Sequence, residues 1–194
     1  MRRIHPIETE SYRILRGMVD LSHLGPLSRA VAERVIHASA DLEYAESLVL
    51  DEAALEGGVE ALRQGAPVVV DVGMVAAGIT GRETLCFVSD PRARELSERL
   101  GITRSAAGFH LAAGEVGRGA VWVVGNAPTA LFELLGLDVD PALVIGLPVG
   151  FVGAAESKGA LVDSGLPAIA NRGPKGGSAA AAAALNALIY YEEE

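Results

Sequence analysis

The sequence predicts an α/β fold: three layers, a mostly parallel five-stranded sheet, helices on both faces and extra helices ahead of the first strand. Three observations lead there. Short runs rich in β-branched residues recur at 67–72, 84–88, 120–125, 142–146 and 167–170. They are apolar at consecutive rather than alternate positions, as parallel strands buried on both sides should be. Segments with helix signals separate them, so strands and helices alternate and the connections become right-handed crossovers. The chain of 194 residues, 50 % of them apolar and 21 % charged, is long enough for a real core and is read as a single domain over 1–194.

Residues 7–17, 27–38 and 51–63 read as amphipathic helices, the first two lying before any strand and covering the sheet or a partner subunit. Asp90-Pro91 opens a helix that stops at Gly101, and the segment 127–135 ends in the same way at Gly136. Residues 106–113 are helix-like. The six alanines Ala179 to Ala184 favour a helix whose small side chains let it lie close to a sheet or another subunit. In a parallel sheet of this kind ligands sit beyond the carboxyl ends of the strands, where the glycine-rich loops fall.

Composition removes several functions. A net charge of −9 argues against a general nucleic-acid binder, whose phosphate contacts need a basic face. Cys86 is the single cysteine, so neither an internal disulfide nor a thiolate-rich metal site is expected, which suits a reducing, cytoplasmic setting. Met1-Arg-Arg-Ile-His-Pro6 has no apolar run behind its arginines, so no signal peptide is expected, and the longest apolar stretch, 178–188, is too short to span a bilayer. Neither Glu156-Ser-Lys158-Gly nor Lys175-Gly-Gly-Ser178 has the order of a phosphate loop, and the glycines of 114–119 have the wrong order for a dinucleotide fingerprint. His5, His23, His37 and His110 lack the helical pair of a zinc hydrolase, and no Gly-x-Ser-x-Gly elbow is present.

Three constellations carry chemistry. Arg34-Val-Ile-His37 places an imidazole in the last turn of the second helix, where the negative helix end favours its protonated form; it serves there as an acid or as a structural cap. Thr103-Arg104-Ser105 opens a helix with a guanidinium and two hydroxyls, which suits a carboxylate or a plain N-cap with a surface arginine. Arg172-Gly-Pro174-Lys175-Gly176-Gly177-Ser178 leads into the alanine helix, bringing basic groups, glycine amides and a positive helix end together as an anion site. Gly125-Asn126, the run from Gly146 to Lys158 with Leu147, Val149 and Phe151 as an apolar floor, and Gly78-Ile-Thr80-Gly81 beyond Asp71-Val-Gly-Met74 add further loops. Together they suit a large, partly flat polyanion.

These residues resemble the precorrin-8X methylmutases of corrin biosynthesis, including the cobalt-precorrin-8 enzymes. The likeness covers nearly the whole chain: Ile7-Glu8 with Ser11-Tyr12, Arg34-Val-Ile-His37-Ala, Asp71-Val-Gly-Met74, Thr103-Arg104-Ser105, Gly125-Asn-Ala-Pro-Thr-Ala130, Gly146-Leu-Pro-Val-Gly-Phe-Val152 with Glu156-Ser-Lys158, and Lys175-Gly-Gly-Ser178 before Asn186-Ala-Leu188. Pro174 stands where family members often have an arginine. The resemblance implies a flavodoxin-like sheet, a homodimer with active sites near the subunit interface, and an isomerase that moves a methyl group on ring C of a tetrapyrrole, with His37 as the catalytic acid. It implies no cofactor, cobalt being present only if the substrate carries it. The expected substrate-binding residues are Ser11, Thr80, Gly81, Thr103, Arg104, Ser105, Asn126, Lys158, Arg172, Lys175, Gly176, Gly177 and Ser178. Partners are the tetrapyrrole polycarboxylate and its product, with hand-over to neighbouring pathway enzymes, and neither nucleic acid nor membrane. Two alternatives stand beside this: a carrier that binds the tetrapyrrole without transforming it, and a flavodoxin-like nucleotide-binding oxidoreductase.

Overall fold

The computed structural model describes residues 5–192. Helices α1 (Pro6–Met18), α2 (Pro26–Ser39) and α3 (Tyr44–Ser47) precede strand β1 (Leu48–Val49). Then come α4 (Glu52–Arg63), β2 (Val68–Val70), α5 (Gly73–Gly78), α6 (Pro91–Leu100), α7 (Arg104–Val116), β3 (Val121–Val124), α8 (Pro128–Gly136), β4 (Leu143–Gly146), α9 (Ala154–Asp163), β5 (Ala168–Asn171) and α10 (Ser178–Ile189). The sheet order is β1-β5-β4-β3-β2, with β2 to β5 parallel and β1 antiparallel to β5.

Alternation within the strands makes the three layers, because successive side chains point to opposite faces. Val68, Val70, Val121, Val123, Leu143, Ile145 and Ile169 join the core formed with α2, α4, α5 and α10. Val69, Trp122, Val124, Val144 and Ala170 face α7, α8 and α9. Trp122 is fully buried and meets Phe109 edge-on at 5.0 Å between ring centroids. α10 is buried from Ala180 to Leu188 between α2 and the sheet; at its start Ser178 and Ala181 lie so near Gly125 that any Cβ there would clash.

The expected strand at 84–88 is a single parallel bridge, Val69 to Leu85, sealed by Val70 N–H to Leu85 O (2.9 Å) and Leu85 N–H to Val68 O (2.8 Å). Edge position explains this: Leu85 has one neighbour and is 41 % exposed, while Phe87 turns beneath α7 at Gly108. Counting that bridge, the parallel order is the 2-1-3-4-5 of doubly wound sheets. The missing strand is replaced by β1, two residues paired with Asn171 and Ala170. Two loops are also shorter than expected. Val72 leads directly into α5, and the loop after β4 ends at Gly153, so that Glu156 and Lys158 lie on α9.

Caps follow the local signals where the signals exist. Asp90 Oδ1 accepts from Arg92 N–H (2.8 Å), Thr103 Oγ1 from Ala106 N–H (3.3 Å), and Gly101 ends α6 with φ 68°. α2 has no such cap at Gly25. Its start is closed from α4, where the Glu52 carboxylate accepts from Leu27 N–H (2.7 Å), Ser28 N–H (2.9 Å) and Ser28 O–H (2.5 Å).

Candidate active site

α2 ends as expected, with His37 in its last turn and Ala40 left-handed beyond it (φ 53°). The imidazole is half-buried against α1: Ser11 Oγ lies 2.9 Å from Nδ1, and the Tyr12 ring stacks on it at 4.8 Å and 17°. Nε2 has no hydrogen-bond partner among the described residues. Burial pushes the Tyr12 phenol up, and Arg34 pulls it part of the way back. Arg34, one turn before His37, pairs with Glu8 at 3.1 Å.

Glu8, Arg34 and His37, with His5, Ile7 and Ala38, form one wall of a cleft of about 570 Å³, Ser11 and Tyr12 backing the imidazole; the other wall is Ala179, Ala182, Ala183 and Asn186 of α10, with Gly78. That volume is in the range of small-molecule sites. The methyl groups of α10 make the wall smooth, and Asn186 fastens the cleft's end: it accepts from Thr80 N–H (3.0 Å) and donates to Gly78 O (2.8 Å). Tyr190 O–H donates to Thr80 Oγ1 (3.0 Å) and sits where a side chain on Gly81 would go. A larger depression, about 1100 Å³, lies between the end of α1 and the start of α2, but its walls are Arg16 to Ser22, Arg29 and neighbours, away from the imidazole.

The first turn of α10 joins this cleft to the carboxyl edge of the sheet. Ala179 lines the cleft, while Ser178 O–H donates to Asn126 Oδ1 (2.6 Å) in the loop after β3. The loops after β4 and β5 are zipped together by Gly177 N–H to Leu147 O (2.8 Å) and Gly150 N–H to Pro174 O (3.1 Å). Thr103 and Thr129 hydroxyls meet at 2.8 Å where α7 and α8 begin, with Arg104 exposed and Ser105 half-buried beside them.

Several expected contacts are placed differently from a ligand-facing role. Lys158 is 1 % exposed; its ammonium donates to Asn171 Oδ1 (3.0 Å) and Lys175 O (2.5 Å), and burial lowers its pKa to about 8. It braces the basic loop from inside because Ala154 starts a helix that turns residue 158 inward. Lys175 is held by Asp41 (2.6 Å) and Glu43 (2.8 Å), carboxylates brought over by the turn after α2, and these bonds raise its pKa. Gly176 and Gly177 serve the loop contact, and the Gly177 amide is already used. Arg172 remains exposed, its backbone bonded to Ser47 O (2.8 Å). Of the apolar floor, Leu147 is fully buried, whereas Phe151 is 97 % exposed.

Asp71, 1 % exposed, closes the switch point between β2 and β3. Its carboxylate accepts from the N–H groups of Gly125 (3.2 Å), Asn126 (2.8 Å) and Ala127 (2.8 Å). These amides would otherwise greet a nucleotide phosphate, so the oxidoreductase alternative loses its anion site. Burial pushes the Asp71 carboxyl above its ordinary 3.8, with the three amides opposing. Between 3.8 and the raised value the folded chain holds a proton that the unfolded chain has lost, so this residue's contribution to stability is complete below pH 3.8 and declines as pH rises through that window. Urea midpoints of the parent should therefore fall relative to those of Asp71→Asn as pH is raised from 3.5; parallel curves would refute this.

Arg34, Tyr12, Asp71 and Asn186 belong to motifs whose residue types and spacing assign them no role on their own. The i, i+3 spacing of Arg34 and His37 was the available signal. Among the described residues no group of three or more His, Cys, Asp or Glu side chains is gathered as a metal site.

Residues 6–191 match the model of the precorrin-8X methylmutase family. The chain belongs to that family. It is 43 % identical over 191 residues to a cobalt-precorrin-8 methylmutase of Methanothermobacter thermautotrophicus, covering 95 % of this chain and 92 % of that one. It is 42 % identical over 194 residues to a precorrin-8X methylmutase of a Sinorhizobium species, covering 94 % and 92 %. Among solved structures, the precorrin-8X methyl mutase of Thermus thermophilus superposes with a TM-score of 0.86 at 36 % identity, over 95 % of this chain and 96 % of that one. Near-equal identity to methylmutases of both names means that overall likeness does not separate the cobalt-bound from the metal-free reaction.

Proposed function

We propose that the chain is an isomerase of cobalamin biosynthesis that moves a methyl group between adjacent carbons of ring C of a corrin precursor, precorrin-8X or its cobalt-bound counterpart. The observation that carries this reading is the His37 imidazole in the wall of a cleft, with Ser11 at Nδ1 and Nε2 unpaired among the described residues. Family membership supports the substrate class.

The chemistry needs little from the protein beyond holding and protonating. One carbon–methyl bond breaks as another forms on the neighbouring carbon, so reactant and product are isomers and no redox cofactor is consumed. His37 donates a proton to the macrocycle near ring C, favouring the tautomer from which the methyl moves, and takes it back from the product. Tyr12 stacking and the Ser11 bond fix the ring plane that does this. The flat α10 wall accepts one face of the macrocycle at its edge. Asn126, Ser178, Thr103 and Arg104, with Arg172, take carboxylate arms along the sheet's carboxyl edge.

The protein is also read as a homodimer, supported by the exposed apolar tip at Phe151 (97 %) and Val152 (89 %), which a second copy would cover. Among the described residues no helix is long and apolar enough to cross a membrane. Incubation with the metal-free and the cobalt-bound precursor, followed by ultraviolet–visible spectroscopy, tests the activity. Conversion of at least one to the corrin chromophore is expected, and an unchanged spectrum with both overturns the reading.

A further inference from the structure

Two rungs join α1 to α2 at the cleft. Glu8 meets Arg34, and Ser11 meets His37; each pair of partners is three residues apart on its own helix, so both rungs lie on facing stripes. The Ser11 rung serves the imidazole. The Glu8 rung is unusual among the ion pairs of α1. Arg16 and Glu33 form a bidentate pair at 2.7 and 2.8 Å, as do Arg13 and Glu10 at 2.8 and 2.7 Å, whereas Arg34 meets Glu8 through one contact of 3.1 Å. A guanidinium presents five donors in a planar fork; Glu8 takes one through a single long contact and the Tyr12 phenol another, which leaves donors for a second carboxylate. The pair is also drawn in from water, with side chains 21 % and 19 % exposed, so a carboxylate reaching Arg34 is only weakly screened.

Of the cations at the basic loop, Lys175 and Lys158 are committed to internal partners, and Arg172 is exposed at the sheet's carboxyl edge. Arg34 is the guanidinium in the cleft lining, one turn from the imidazole. We infer that Arg34 binds the substrate carboxylate arm nearest the reacting carbons, and that Glu8 holds its place in the free protein as a displaceable mimic of that arm. The inference rests on the proposed methylmutase reading and adds to it the residue that orients ring C against His37. Substrate entry exchanges one carboxylate on Arg34 for another, so the fork is never left bare, and Glu8 competes with every acidic ligand.

The test measures affinity for hydrogenobyrinic acid by quenching of protein fluorescence, together with KM and kcat, for Arg34→Gln, Arg34→Lys, Glu8→Gln and, as a control on the same helix, Glu10→Gln. Loss of a charge-assisted contact should weaken product binding by about 10- to 100-fold in Arg34→Gln. Arg34→Lys should recover part of this, and thermal melts show whether each variant is folded. Removing the competitor in Glu8→Gln should tighten binding about 3- to 10-fold, through KM with kcat little changed, while Glu10→Gln shifts it by less than about 2-fold. Weaker binding in Glu8→Gln would make the rung a structural brace, and equal tightening in Glu8→Gln and Glu10→Gln would reduce the effect to bulk charge; either overturns the inference. So does Arg34→Gln binding like the parent, and in that case the isomerase reading still stands. A folded parent that neither binds the product nor converts a precursor brings down both.

Discussion

Replacing His37 by alanine should lower turnover by about 10²- to 10⁴-fold, the usual worth of a positioned proton donor, while affinity for the product changes only a few-fold. The two effects separate because the imidazole is one of several groups lining the cleft, and its removal leaves Arg34 beside it and the opposite wall of Ala179, Ala182 and Ala183 in place. Loss of the Tyr12 stack should cost a little stability without unravelling α1, whose Leu15 stays in the core. The same substitution decides between catalyst and carrier. A carrier needs the surface but not the proton, so an alanine variant turning over at the parent rate would eliminate His37 as the acid.

The second large effect belongs to Gly176. A Cβ built there lies 2.2 Å from Leu147 O and 2.7 Å from Pro148 O, both backbone atoms that no rotamer change can move aside. Gly176→Ala must part the loops after β4 and β5 and break the bonds from Gly177 N–H to Leu147 O and from Gly150 N–H to Pro174 O. At about 1 kcal/mol for each bond, with local strain added, the loss should reach about 2–4 kcal/mol. For a chain of this size that is roughly 5–15 °C in Tm. Substrate affinity should fall with it, because the same loops place Ser178 against Asn126. Gly57→Ala in α4 is the contrast: its Cβ meets nothing within 4 Å, and it should raise stability by roughly 0.5–1 kcal/mol. Equal melting temperatures for the two variants would refute the packing argument.

What was legible in the sequence was whatever a few neighbouring residues decide among themselves. Asp90-Pro91 with Gly101 marks a helix because the carboxylate accepts from an amide two residues on and glycine tolerates φ 68°. Val68–Val70 and Val121–Val124 read as strands because every position is apolar, and each is buried. His37 could be placed in a last turn for the same reason. The segment 84–88 has the same composition as the true strands and fails as one, since a strand needs a partner's backbone opposite it at successive residues, and here only Leu85 forms a bridge. β1 carries too little pattern in two residues to be seen, and it exists because Asn171 and Ala170 lie opposite.

Charge was the property hardest to read forward. Lys175 and Lys158 stand in a glycine-rich, basic stretch that reads as an anion site, yet Asp41 and Glu43 come to one and Asn171 with the Lys175 carbonyl to the other, from positions 13 to 134 residues away. Arg34 moved the opposite way, from a motif member without a role to the cleft's guanidinium. By itself the chain determined its capped and amphipathic helices, its buried strands, its family and the imidazole at the end of α2, because propensity, capping and apolar patterning act over a few residues. Only the tertiary structure decided which cations face the cleft and which brace it, because an ion pair depends on distance in space, and the sheet and α10 set those distances.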